Sequence, residues 1–400
     1  MGCKVVRIGD VAAFRKESVK PEAGAIYHCY SFSAFDNACT PEVMDGSKIL
    51  SSKFRFVAGD ILVNKLNMRF KRIWPIGDQL APNSVCSTEF TPLTPNENVD
   101  RNFLLYVLLS DSFTRKLSGM RTGTSGSHQR VKVDWILDYE FMLPDFTTQR
   151  KIGEILATID GKIALNGRIN DYLAELASLE FSRRFGPDTP TTELGKVLSI
   201  STKSLKPQDC IGDIWEHYSI PAYDENRRPI FEPAECIKSN KYIVDTNCIL
   251  ISKLNPTIKR IWMPACTSDH PVCSTEFIVY KPNNLKHKSF YYAAINAPEF
   301  TDYLLAHVTG STGSRQRTQP KATLKYPMQA PSVEAIDEFC AFADPIYEQI
   351  KLNELESGEL EVLRDTLLPK LISGEIDVSK VKLPKQLNNH LCDCSALPFF

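Results

Sequence analysis

Two short segments rich in Gly, Ser and Thr hold the residue types best suited to contacting a polyanion. They are TGTSGSHQR, from Thr122 to Arg130, and TGSTGSRQR, from Thr309 to Arg317. Glycine lets the backbone approach closely, and Ser and Thr add N–H and hydroxyl donors for phosphate oxygens. The Gln and Arg that follow can each make paired hydrogen bonds to adenine and guanine edges. The candidate contacts are therefore Thr122, Thr124, Ser125, Ser127, His128, Gln129 and Arg130 in the first segment. In the second they are Thr309, Ser311, Thr312, Ser314, Arg315, Gln316 and Arg317. A Gly/Ser turn alone is a weak signal, because most are only turns. Here each sits beside stretches of base without acid. Lys65, Asn67, Arg69, Lys71 and Arg72 fall in the acid-free span 61–77, and Arg121 and Lys132 in the acid-free span 112–133. Lys253, Asn255, Lys259 and Arg260 fall in the span 246–268, and Lys321 in the span 303–333. The whole chain carries a net charge of −1, so these windows predict two local footprints rather than a basic protein.

No catalytic constellation accompanies them. The sequence lacks a GxxxxGK[ST] phosphate loop, a GxSxG elbow and the Asn/Asp-Pro-Pro-Tyr of amino-methyltransferases. Glu89 and Glu276 recur as a pair, but the Glu-x-Lys spacing of many nucleases is missing. They are expected to face outward from a strand or to pair with a neighbouring base. His28 and His217 have no partner at useful spacing. Twelve scattered cysteines without a signal core read as cytosolic thiols, with Cys86 and Cys273 as small buried residues. His390, Cys392 and Cys394 lack a second ligand pair, so no metal site is expected. No apolar run is long enough for a membrane span.

The elements that must position these residues are written twice. Val85 to Phe90 recurs letter for letter as Val272 to Phe277, and the two Gly/Ser segments recur at the same offset of 187. Lys65-Leu66-Asn67 and Lys71-Arg72-Ile73-Trp74 recur, at an offset of 188, as Lys253-Leu254-Asn255 and Lys259-Arg260-Ile261-Trp262. The Lys-Leu-Asn segments follow strands, where they either reach bases or phosphates or merely turn. Trp74 and Trp262 suit packing better than base stacking, while YSFSAFD (30–36) and YSIPAYD (218–224) fit surface or core equally. Gly59 to Val63 and Cys248 to Ile251 read as buried strands, and 102–110 and 290–297 as packed helices. The fold class expected is α+β: two pseudo-symmetric globular domains, 1–143 and 187–330.

Between and after them the pattern changes to that of long helices, 144–186 and 331–378, with a ragged tail at 379–400. Ile152, Leu156, Ile159, Ile163, Asn166, Asn170, Leu173 and Ala177 alternate steps of four and three. The same register gives Phe339, Ala343, Ile346, Ile350, Asn353, Ser357, Leu360 and Arg364. This is a coiled-coil seam. Asn166 and Asn353 interrupt it at one place, either fixing alignment or standing solvated. Ser332 is a candidate N-cap, and Gly186-Pro187 stops the first helix. Two such helices in one chain pack by folding back, so an antiparallel pair is expected, acting as a ruler between the domains.

This order of domain, coiled coil, domain and coiled coil ends in LRDTLLPKLISGEI, Leu363 to Ile376. It resembles the DNA-specificity subunit of type I restriction–modification systems over nearly the whole chain. The resemblance implies two target-recognition domains, each reading half of a bipartite, asymmetric site in double-stranded DNA. It also implies helices that set the spacing and dock methyltransferase subunits, two of them, with restriction subunits joining the full complex in a prokaryotic cytoplasm. No cofactor is then expected on this chain; S-adenosylmethionine, ATP and Mg belong to partners. Family helix starts often read Pro-x-x-Glu-Gln. Pro144 to Arg150 lacks the Glu, and Pro331 to Ile336 lacks the Gln. The rival readings are a nuclease or methyltransferase built on Glu89 and Glu276, and a coiled-coil adaptor that binds only protein.

Overall fold

The computed structural model describes residues 3–37, 39–120, 129–210, 212–309 and 316–382. The chain forms two compact units, one of residues 1–165 with 357–400 and the other of residues 166–356.

In the first unit, the strands Ala12–Phe14, Phe90–Pro95, Ile61–Asn64 and Ile73–Pro75 form a sheet in that order. A second sheet runs Ser18–Val19, Lys53–Arg55, Ser84–Ser87, Ile26–Tyr30, Glu42–Asp45. All neighbours in the two are antiparallel except Ser84–Ser87 against Ile26–Tyr30. The second unit repeats both topologies. Its sheets run Leu198–Ser201, Phe277–Pro282, Ile249–Ser252, Ile261–Trp262 and Ser204–Leu205, Lys241–Ile243, Pro271–Ser274, Ile214–Tyr218, Ile230–Pro233. The single parallel pair recurs between Ile214–Tyr218 and Pro271–Ser274. Duplicated text has therefore become duplicated topology, as equal patterns of buried and exposed positions require.

The expected short helices are Arg101–Leu109 and Lys288–Asn296. Asp100 caps the first by accepting from the Phe103 N–H at 2.9 Å. Every residue from Phe103 to Leu109 is buried, as befits a helix apolar on all sides.

The long helices are Phe146–Arg184 and Val333–Ile372. Asp145 begins the first, accepting from the Thr148 N–H at 3.0 Å, and Ser332 begins the second, accepting from the Ala335 N–H at 3.3 Å. Gln149, the Gln that the helix start retained, is buried; it accepts from the Asp100 N–H at 2.8 Å and donates to the Pro144 carbonyl at 2.9 Å. Gly153 lets the helix touch the Asp100 cap, since a Cβ there would lie 2.9 Å from Asn102 Cβ and from Asp100 Oδ1. These two contacts seat the helix on its domain.

Each unit shows its own antiparallel stretch of the pair. In the first, Ile152 and Leu156 share a core with Leu368 and Leu371. Ile159 and Ile163 are buried as well, and Leu360 is half-buried. In the second, Ala177 and Phe181 share a core with Phe339, Ala343 and Ile346, while Leu173 and Ile350 pack at its edge. Asn166 and Asn353 are buried, not solvated. Asn166 donates to the Asn353 carbonyl at 3.4 Å and to Glu356 Oε2 at 2.8 Å. Asn353 donates to Asn170 Oδ1 at 2.7 Å, and Asn170 to the Ile350 carbonyl at 3.2 Å. Such side-chain bonds to the facing helix hold register.

The first unit adds a feature with no counterpart in the sequence reading. Asp160 has a fully buried side chain and accepts from Arg364 Nη1 at 2.9 Å and from the Tyr106 hydroxyl at 2.6 Å. Burial pushes the Asp160 pKa up, against the Arg364 guanidinium and the Tyr106 hydroxyl, which favour the carboxylate.

Candidate nucleic-acid interface

Eight of the sequence candidates meet at one junction, built once in each unit. In the first, the Lys65 N–H donates to the Glu89 carbonyl at 2.8 Å and the Val131 N–H to the Lys65 carbonyl at 2.9 Å. The Asn67 N–H donates to the Gln129 carbonyl at 2.9 Å, and Leu66 bridges Arg130. In the second, Lys253 donates to Glu276 at 2.8 Å, Thr318 to Lys253 at 2.9 Å and Asn255 to Gln316 at 2.9 Å, while Leu254 bridges Arg317. The Lys-Leu-Asn segment is thus a central rib. The turn after the Val-Cys-Ser strand lies on one side of it and the end of the Gly/Ser segment on the other.

Asparagine is needed at the rib's bend. Asn67 has φ 58° and Asn255 φ 49°, the left-handed region that Asn tolerates better than other residues with a Cβ. Buried polar side chains brace the bend from beneath: Asn64 donates to the Leu66 and Phe70 carbonyls at 3.1 and 3.0 Å, and Ser252 to the Leu254 carbonyl at 3.0 Å.

Two ion pairs finish the junction. Arg130 meets Glu89 at 2.5 Å, and Arg317 meets Glu276 through Nε at 3.2 Å and Nη2 at 3.3 Å. All four groups are partly exposed, so each pair contributes at most about 1 kcal/mol to stability. Their effect is to aim the guanidiniums. The glutamates therefore take the pairing role foreseen for them, with partners 41 residues away. Nothing here arranges them as an acid–base couple. Lys65 and Lys253 lie half-buried over the rings of Phe54 and Tyr242, at 5.5 and 5.2 Å, and burial lowers both pKa values.

The other candidates divide. Arg69 lies exposed over the Phe70 ring at 4.9 Å, and Lys132 over Trp135 at 5.4 Å. Lys321 stands exposed in the short helix Pro320–Thr323. Lys71 pairs with Asp111 at 2.5 Å; Lys259 donates to the Asn296 carbonyl, and burial lowers its pKa. Arg72 is held by both Asp36 oxygens at 2.7 and 2.6 Å, and Arg260, buried, by both Asp224 oxygens at 2.5 and 2.8 Å. These two guanidiniums brace the turn from within. Sequence reading missed the partnership, although Asp36 and Asp224 recur at the same offset as the arginines. Trp74 and Trp262 are core, against Tyr30 and Phe35, and Tyr218 and Tyr223. Cys86 and Cys273 are buried free thiols, with pKa values pushed up by burial. His217 does have a partner: its Nδ1 lies 2.6 Å from Glu232 Oε1.

Arg121, Thr122, Thr124, Ser125, Ser127, His128, Ser311, Thr312, Ser314 and Arg315 lie outside the described residues, as do His390, Cys392 and Cys394. Thr309 is described only through its backbone pairing with Arg317. Among the described residues no group of His, Cys, Asp and Glu could hold a metal ion, and no helix is long and apolar enough to cross a membrane.

Residues 2–175 match the family model described as the type I restriction modification DNA specificity domain. This match, with the likenesses that follow, supports a type I restriction–modification DNA specificity subunit. Specificity subunits are the non-catalytic, DNA-recognising component of type I restriction–modification systems. The chain is 22% identical to the type I restriction enzyme HindI specificity subunit of Haemophilus influenzae, over 80% of this chain and 86% of that protein. It shares the fold of the type I restriction–modification system S subunit from M. genitalium, with a TM-score of 0.58 and 14% identity, over 93% of this chain and 96% of that one. Neither rival reading, enzyme or protein-only adaptor, is favoured by these likenesses.

Proposed function

We propose that this type I specificity subunit reads double-stranded DNA with the junction of each unit, so that each contributes one half of a bipartite, asymmetric site. The observation that carries this is one hydrogen-bonded frame built twice, from Lys65, Asn67 and Arg130 and from Lys253, Asn255 and Arg317, next in sequence to segments whose letters differ. An equal frame positions both reading segments alike; unequal letters, His128 against Arg315 among them, give two different half-sites. The long helices set the spacing of the half-sites and dock two methyltransferase subunits, and restriction subunits complete the assembly in a prokaryotic cytoplasm. S-adenosylmethionine, ATP and Mg serve the partners' chemistry.

Methylome sequencing of the host with and without the gene tests this. The expected result is a two-part methylated motif that disappears with the gene. An unchanged methylome, together with no duplex binding by the assembled complex, would refute it.

A further inference from the structure

Between the rib and the next strand, each unit carries a turn whose tip the candidate contacts do not include. Phe70 and Ile258 occupy the same repeat position and are 47% and 48% exposed. The two tips are built alike. The Phe70 N–H donates to the Asn67 carbonyl at 3.0 Å, and the Ile258 N–H to the Asn255 carbonyl at 3.0 Å. Each tip therefore hangs from the left-handed Asn of its own junction. In the first unit the Asn64 side chain also grips the Phe70 carbonyl at 3.0 Å, and Arg69 and Arg72 lie at 4.9 and 5.2 Å over its ring.

A single exposed apolar side chain is ordinary on a protein surface. Two at one repeat position, each at the tip of a braced turn in an acid-free basic window, are a different observation. Both stay about half exposed on turns that hydrogen bonds to the rib fix in place. Apolar side chains of this kind meet thymine methyl groups or press against a base step.

We infer that Phe70 and Ile258 are specificity-determining residues, each making apolar contact with base pairs of its own half-site beside the polar contacts of the junction. This rests on the function proposed above. The two side chains differ in shape, aromatic against β-branched, so their base preferences differ too.

Selection from a randomised duplex pool by the assembled complex, with the wild-type chain, Phe70→Ala or Ile258→Ala, tests it. Phe70→Ala is expected to relax base preference at one or two adjacent positions of one half-site. The loss there should resemble a single mismatched pair, roughly tenfold, with the other half-site intact. Ile258→Ala should do the same on the opposite half. Both tips are exposed, so melting midpoints should hold; if Phe70→Ala lowers the midpoint, Phe70→Met keeps the bulk and carries the test. Unchanged preferences in both variants, or equal loss across both halves, would overturn the inference while leaving the proposed function standing. A wild-type complex that enriches no sequence would overturn both.

Discussion

The junction and the helix seam treat the internal repeat in opposite ways. Around Lys65 and Lys253 the two units share residues, hydrogen bonds and ion pairs nearly one for one. On the seam, the Asp160–Arg364–Tyr106 cluster of the first unit has no copy: the equivalent repeat positions hold Tyr347, Ala177 and Ala293, all buried. Glu354 of the second unit likewise corresponds to Gly167 in the other copy. The difference teaches that the frame tolerates little change where both units perform one task. Where only packing is required, a polar cluster and an apolar one serve equally, provided each is satisfied internally.

Breaking the unmatched cluster should have the largest effect on stability. Asp160→Ala leaves Arg364, only 12% exposed, without its buried carboxylate, and should cost about 3–5 kcal/mol in denaturant unfolding. Replacing Asp160 and Arg364 together by Leu should recover most of that loss, making the first unit resemble the second. A double variant as weak as Asp160→Ala would show that the two residues act separately.

The matched regions should show loss of recognition instead. Arg130→Ala should weaken one half-site by about 1–3 kcal/mol, and Arg317→Ala the other, as read by competition binding to duplexes altered in one half. Loss on the same half from both variants would end the equivalence. A smaller and equal pair is expected at the bends: Asn67→Ala and Asn255→Ala should each cost about 1–2 kcal/mol of stability through positive φ, while Gly at either position should be nearly neutral.

The last effect concerns pH and only the second unit. Burial pushes the Glu354 pKa up to about 7, against the lowering influence of Arg227 and Arg228. A carboxyl whose pKa is higher folded than unfolded favours the folded state when protonated. That contribution is present below the ordinary Glu range and is lost as pH rises through about 7. The melting midpoint should therefore fall more between pH 5 and 8, roughly the span of that titration, in the wild type than in Glu354→Gln. Equal slopes would remove Glu354 from the account.

Periodicity made the helices, their shared register and the Ser332 cap legible in the sequence, because an antiparallel apolar seam repeats every seven residues. The repeat exposed the junction in the same way: Lys-Leu-Asn, Glu and Gln-Arg each appear twice at a near-constant offset. Pairings across long separations were not legible from one copy, since nothing local marks Arg72 for Asp36 or Arg130 for Glu89. The repeat held both signals, as partners that move together by the repeat offset. The Asp160–Arg364 pair, 204 residues apart and present once, left no such trace.

The central claim is that two equal frames hold two different reading segments. Replacing residues 308–317 by the sequence of 121–130, a segment of equal length, tests it most directly, with the methylated motif of the host as readout. The half-site of the second unit is expected to change to that of the first while the other half stays. A motif that keeps its original second half, in a complex that still methylates DNA, would contradict it.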